Sequence, residues 1–144
     1  DRELVTPRRG DLLFSRANTR ELVAATCLVD EDHPALFLPD KLWRIVPLST
    51  AANPAFLRFL LAHDGFRSEL TKTATGTSGS MLNVSMEKLR TLRAPIPPLP
   101  LQTRFAAFVW SSLGMKRRQS EVLDRANDLF ESIAHRAFTG SSVS

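Results

Sequence analysis

The sequence predicts an α+β fold in which strands and short helices form a first part and one long helix closes the chain. Three observations carry that prediction. Short apolar runs separated by turn residues fill residues 10–48, helix-period segments with capping residues follow, and a proline-dense stretch over 95–100 precedes a sustained heptad pattern. The 144 residues, 43% of them hydrophobic, suffice for one ordinary core with an appended element. The expected organisation is a mixed globular domain over 1–98, a long helix over 99–139 and a short tail over 140–144.

In chain order, "GDLLFSRA", "AATCLVDE" and "ALFLPDKLWRIVPL" read as strands, with Pro39-Asp40 as a turn that divides the last into two apolar runs. "KLWRIV" is nearly continuous in apolar residues, which predicts a half-buried or central strand. In "NPAFLRFLLAHDGFRSELTKTA", Asn53 can cap a helix, Pro54 takes its first position, and Phe56, Leu57, Leu60 and Leu61 form an apolar stripe. Gly65 is expected to interrupt it and leave a second short helical piece through Leu70. After "TKTATGTSGS" at 71–80, Ser85 can cap a short helix "MEKLRTL". The four prolines between 95 and 100 then end regular structure and mark the clearest boundary.

Beyond that boundary, Phe105, Phe108, Ser112, Met115, Gln119, Val122, Ala126, Leu129 and Ile133 alternate at spacings of three and four, which is a coiled-coil heptad seam. Val109, Leu123, Phe130 and Ala137 widen it on one side, so the helix should meet more than one neighbour. Gly114, with Ser111 and Ser112, marks the expected kink, and Glu121 precedes Arg125 by the four residues that suit a supporting ion pair. No second long helix exists in the chain to cover the seam.

Composition narrows the chemistry. Fifteen of the nineteen cationic residues are Arg, the side chain suited to planar recognition of phosphate and guanine edges, although fifteen acidic residues hold the formal charge to +4. Cys27 stands alone, so no intrachain disulfide or cysteine metal cluster can form. No apolar run approaches the ~20 residues of a membrane span, and the opening "DRELVTPRRG" lacks a signal-peptide core. A cytoplasmic protein without membrane association is expected. The start on Asp1 rather than Met fits a piece of a longer chain or a processed one.

Several catalytic readings lack their residues. His33, His63 and His135 are too dispersed for a zinc helix, and "ATGTSGS" lacks the Lys of a phosphate-binding loop. No G-x-S-x-G elbow surrounds Ser78 or Ser80. "NPAF" at 53–56 is similar to the N-P-P-F signature of adenine methyltransferases, but no glycine-rich cofactor turn accompanies it, and helix capping accounts for the same residues.

Two segments suit a polyanion. The hydroxyl loop at 71–80 offers backbone N–H groups and neutral donors, with Thr77, Ser78 and Ser80 as candidate phosphate contacts. "SRANTR" at 15–20 offers forks for base edges: Arg16 and Arg20 for the O6/N7 edge of guanine, Asn18 for the N6/N7 edge of adenine. A plain turn between strands explains Asn18 and Thr19 equally well.

"GDLLFSRANTREL", "LPDKLWRI", "GTSGSMLNVSMEKLRTLRAPIPPLPLQ" and "LFESIAHRAFTG", in this order over nearly the whole chain, resemble the specificity subunit of type I restriction-modification systems. The resemblance implies a target recognition domain of mixed α/β structure followed by a spacer helix that pairs antiparallel with a second such helix. A complete subunit of that family carries two of each and reads a bipartite DNA site, whereas this chain has one of each. It further implies a non-catalytic protein without a cofactor of its own, whose partners are double-stranded DNA, a methyltransferase subunit using S-adenosylmethionine and a restriction subunit. Where the family often shows Gly-Ala after "TRELV", this chain has Ala24-Ala25.

From Phe105 to Ile133 the rise is about 42 Å at 1.5 Å per residue, against ~34–36 Å for one duplex turn. A rigid helix pair of that length can space two half-sites. The expected interface for self-association, or for pairing with a sibling half, comprises Phe105, Phe108, Met115, Val122, Leu129 and Ile133. The alternative from another class is a structural or regulatory coiled-coil module that binds protein and reads no DNA sequence.

Overall fold

A computed structural model of the chain describes residues 4–76 and 81–140. The elements run β1 (Leu12–Ser15), β2 (Ala17–Asn18), β3 (Thr26–Leu28), β4 (Leu42–Ile45), α1 (Pro54–Ala62), α2 (Asp64–Thr73), β5 (Leu82–Asn83), α3 (Met86–Thr91) and α4 (Leu99–Thr139). Small antiparallel sheets, short helices and one long C-terminal helix make this an α+β fold, as the patterning predicts. The chain divides into two compact units, Asp1–Ala107 and Phe108–Ser144.

The first unit is built on β1, whose four residues are all buried and which lies between β3 and β4 in the three-stranded sheet. Burial on both faces explains why "LLFS" has no alternation of polar and apolar residues. Leu12 pairs with Leu28 and Ile45, and Phe14 with Thr26 and Trp43. Phe14 and Trp43 stack across the strands with ring centroids 6.0 Å apart and planes at 14°. Leu12 and Phe14 enter a core completed by Val23, Ala24, Leu61, Leu70, Leu82 and Val84.

"KLWRIV" contains a half-buried strand, the first of the two expected forms; it lies at the sheet edge, and the central place belongs to β1. The neighbouring run "ALFL" forms no strand. Leu36 and Phe37 are more than half exposed there, and the Leu38 N–H donates to the Val5 carbonyl instead of entering the sheet.

Helix α1 starts where its local chemistry directs: the Asn53 side chain accepts from the Ala55 N–H, and Pro54 takes the first turn. The break before α2 falls at His63 rather than at Gly65. His63 adopts extended backbone at φ −62° and ψ 136°, closes α1, and turns its ring nitrogen Nδ1 to the Gly65 N–H at 3.3 Å. Gly65 is therefore inside α2, which continues beyond Leu70 to Thr73. Ser85 caps α3 by accepting from the Lys88 N–H.

The first residues of α4 belong to the globular unit. Gln102 is fully buried there: its side-chain oxygen accepts from the Asn53 N–H at 2.8 Å, and its amide nitrogen donates to the carbonyls of Pro97 at 2.8 Å and Ala51 at 3.2 Å. One buried side chain thus bonds three part-buried backbone groups, two before α1 and one in the proline stretch. Phe105 adds edge-on ring contacts to Phe56 and Phe59, with centroids 6.1 and 5.2 Å away.

In the second unit the helical assignment continues without interruption through Gly114. Glu121 pairs with Arg117 at 3.8 Å, one turn before it rather than one turn after. Among the described residues no helix is long and apolar enough to cross a membrane.

Gln102→Ala removes three hydrogen bonds and leaves a gap in place of a fully buried side chain, and the expected loss of stability is about 1–3 kcal/mol. Urea unfolding followed by tryptophan fluorescence measures it, and an unchanged midpoint would remove Gln102 from this role.

Candidate nucleic-acid interface

The two segments singled out by their chemistry meet through a second sheet. At Arg16 the chain passes from one sheet to the other: its N–H donates to the Lys41 carbonyl at 3.0 Å, and its carbonyl accepts from the Val84 N–H at 2.8 Å. The next two residues form β2, which pairs antiparallel with β5 through Ala17 opposite Asn83 and Asn18 opposite Leu82. Thr75 joins from the other side of the loop, exchanging two backbone hydrogen bonds with Asn83 at 2.9 and 2.8 Å.

The hydroxyl loop therefore leaves and returns through a stitched neck beside Asn18. At its entrance Gly76 lies so close to Met81 that a Cβ would collide with the Met81 carbonyl oxygen. Thr77, Ser78 and Ser80 lie outside the described residues.

The three fork residues of "SRANTR" differ in what holds them. The Arg16 guanidinium carbon sits 5.3 Å from the Trp43 ring centroid, which extends the Phe14–Trp43 stack by one layer. Its Nε is buried and meets no hydrogen-bond partner among the described residues. The Asn18 amide is engaged locally, accepting from the Thr19 N–H at 2.8 Å and donating to the Ser15 hydroxyl at 3.4 Å. Arg20 is exposed. Next to it, hydrogen bonds from its own backbone N–H and from the Thr19 hydroxyl, with the Arg20 charge nearby, hold the exposed Glu21 carboxyl below the usual carboxylate range.

The turn after Arg20 contains Ala24 at φ 60°, the left-handed region that favours glycine.

The expected helix-interface residues separate into two groups. Phe105 is half-buried against Phe56 and Phe59. Phe108, Met115, Val122, Leu129 and Ile133 are each between 49% and 68% exposed on α4, leaving an uncovered apolar seam. Ser112, a polar member of that seam, turns its hydroxyl onto the Phe108 carbonyl at 3.0 Å.

Sequence reasoning did not single out Trp43 or Arg67. Trp43 could not be paired with Arg16 because their proximity comes from strand pairing across 27 positions, which leaves no local signal. Arg67 donates to the Glu21 carbonyl and ties α2 to the turn that carries Arg20. No group of three or more His, Cys, Asp or Glu among the described residues is arranged to hold a metal ion.

Gly76→Ala forces the loop neck apart. Faster hydrogen exchange at the Thr75 and Asn83 amides is the expected outcome, with α4 amides unaffected; unchanged protection at both would show that the neck tolerates a side chain.

No protein-family model matches the chain. Over 95 residues it is 27% identical to the type I restriction enzyme EcoEI specificity subunit of Escherichia coli. The aligned stretch covers 66% of this chain but 16% of that protein, so the chain corresponds to a small part of its relative. That relative is named as a specificity subunit, the kind of protein that the ordered motifs resemble.

Proposed function

We infer that this chain is a DNA-reading part of a type I restriction-modification specificity subunit and that it directs partner subunits without catalysing a reaction itself. The observation that carries the reading is the antiparallel pairing of Ala17–Asn18 with Leu82–Asn83, which sets the arginine hexapeptide beside the neck of the hydroxyl loop. Base-reading forks and neutral phosphate donors then act on one stretch of duplex. The similarity to a specificity subunit supports the same assignment.

Within this reading Arg20, exposed and adjacent to β2, is the foremost base-contacting fork. Arg16 presents a guanidinium whose orientation is limited by Trp43, and Asn18 reads a base only by giving up its local hydrogen bonds. Thr77, Ser78 and Ser80 contact phosphates and fix register. The seam from Phe108 to Ile133 pairs with a second helix, from another copy or a sibling half, and sets the spacing between half-sites. Methylation and cleavage belong to the methyltransferase and restriction subunits, and this chain carries no cofactor.

Selection from a random duplex pool tests the assignment. The purified chain is expected to enrich a defined motif that survives physiological salt. Arg20→Ala should lower discrimination at one position by about 1–3 kcal/mol while leaving self-association intact. Retention without any motif would overturn the reading and favour the coiled-coil interaction module. For the seam, Val122→Lys with Leu129→Lys should convert a dimer at micromolar concentration into a monomer by sedimentation; a wild-type chain that is already monomeric would exclude the homodimer.

A further inference from the structure

A solvent-open cleft of about 490 Å3 lies between the turn at 19–22 and helix α2. Its size falls within the ~300–1,000 Å3 range of ligand sites, but those sites have largely apolar walls. Here the lining side chains are all charged or hydroxyl-bearing. Charged and hydroxyl groups at the rim of an open cleft suit a hydrated polyanion.

The helix contributes positions 64, 67, 68, 71 and 72, which recur at helical spacing on one face of α2. Leu70, on another face, is buried in the core. The polar face is thus fixed in place by the packing of the same helix. Arg67 fixes the opposite wall by donating to the Glu21 carbonyl, and Thr71 spends its hydroxyl proton on the Arg67 carbonyl at 2.8 Å.

Two carboxylates share the cleft: Glu21, which accepts from its own N–H and the Thr19 hydroxyl, and Asp64 in the first turn of α2. Against them stand the three cations Arg20, Arg67 and Lys72, which leaves the lining with one net positive charge. With Arg67 tied to the Glu21 carbonyl and Arg20 assigned to the interface, Lys72 and the Ser68 hydroxyl remain, and Lys72 forms no ion pair among the described residues.

Position in the chain matters as well. The cleft walls are continuations of the strands around the candidate interface: Arg20 follows β2 by two residues, and α2 leads through Ala74 and Thr75 into the hydroxyl loop. We propose that this cleft seats a backbone phosphate of duplex DNA, contacted by Lys72 and Ser68 and flanking the stretch that Arg20 reads in the interface. The proposal rests on the DNA-reading assignment above and adds a contact that fixes register without reading sequence.

The test compares binding of the full chain to its selected duplex and to a scrambled duplex of equal length, each between 50 and 200 mM salt. Lys72→Ala should weaken both duplexes by the same factor and reduce the slope of log affinity against log salt by about 0.9, the value for one phosphate contact. Lys72→Arg should keep the wild-type slope, and Ser68→Ala should weaken both duplexes equally with the slope unchanged. An unaltered slope in Lys72→Ala with motif selection intact would overturn the phosphate seat while leaving the DNA-reading assignment standing. A change in motif preference would make Lys72 a base contact instead. A wild-type chain that binds neither duplex would bring down both.

Discussion

The peptide groups of Arg16 hold the globular unit and its candidate interface together. One residue gives its N–H to Lys41 beside the three-stranded sheet and its carbonyl to Val84 beside the two-stranded one. Because β1 immediately precedes it and is buried on both faces, the second sheet hangs on the central, fully buried strand of the first. The exposed Arg20 turn and the neck of the hydroxyl loop are tied to that strand through β2 and β5. A site held to this tolerance by short pairing has an advantage over one on free loops, since less side-chain and backbone entropy is lost when a ligand binds.

A different economy operates at the start of α4. Hydrophobic contact between Phe105 and the α1 phenylalanines supplies non-directional attraction, while Gln102 supplies direction through three hydrogen bonds. Apolar packing alone would tolerate a shift along the helix. The buried amide does not, because a shift would leave its own polar atoms without partners in the interior. The proline stretch contributes by a third route: Pro97 cannot donate from its nitrogen but still offers the carbonyl that Gln102 requires.

What was legible in the sequence follows the range of the interactions. The caps at Asn53 and Ser85 act over two or three residues and were readable directly. The α+β class and the long helix follow from patterning over longer windows, where local errors average out. The break at His63 was displaced to Gly65 because glycine is a general helix breaker, while His63 ends the helix by a specific backbone and ring geometry. The "ALFL" run deceived for the opposite reason: its composition suits a strand, but its Leu38 amide is claimed by Val5 from far along the chain. In the candidate site the relevant residue types were visible, but not their state. That Asn18 is engaged, that Arg16 lies on Trp43 and that Lys72 faces Arg20 across a cleft all depend on which elements pair.

Residues 108–140 present a physical problem that their proposed use resolves. Val109 near their start is buried, but the seam beyond it is exposed, and helices in proteins owe most of their stability to packing an apolar face rather than to propensity. Gly114 makes this one worse by about 1 kcal/mol relative to Ala. Its exposed apolar seam costs free energy in water and returns it only when covered. Ser112, already bonded to the Phe108 carbonyl, does not oppose that covering, and Gln119 is left as the kind of polar seam residue that fixes register at some cost in stability. A spacer between two DNA half-sites must resist bending, and a single helix of this composition resists it poorly. In the proposed use, measuring a distance and finding a partner would be one requirement, and burying the seam would meet it.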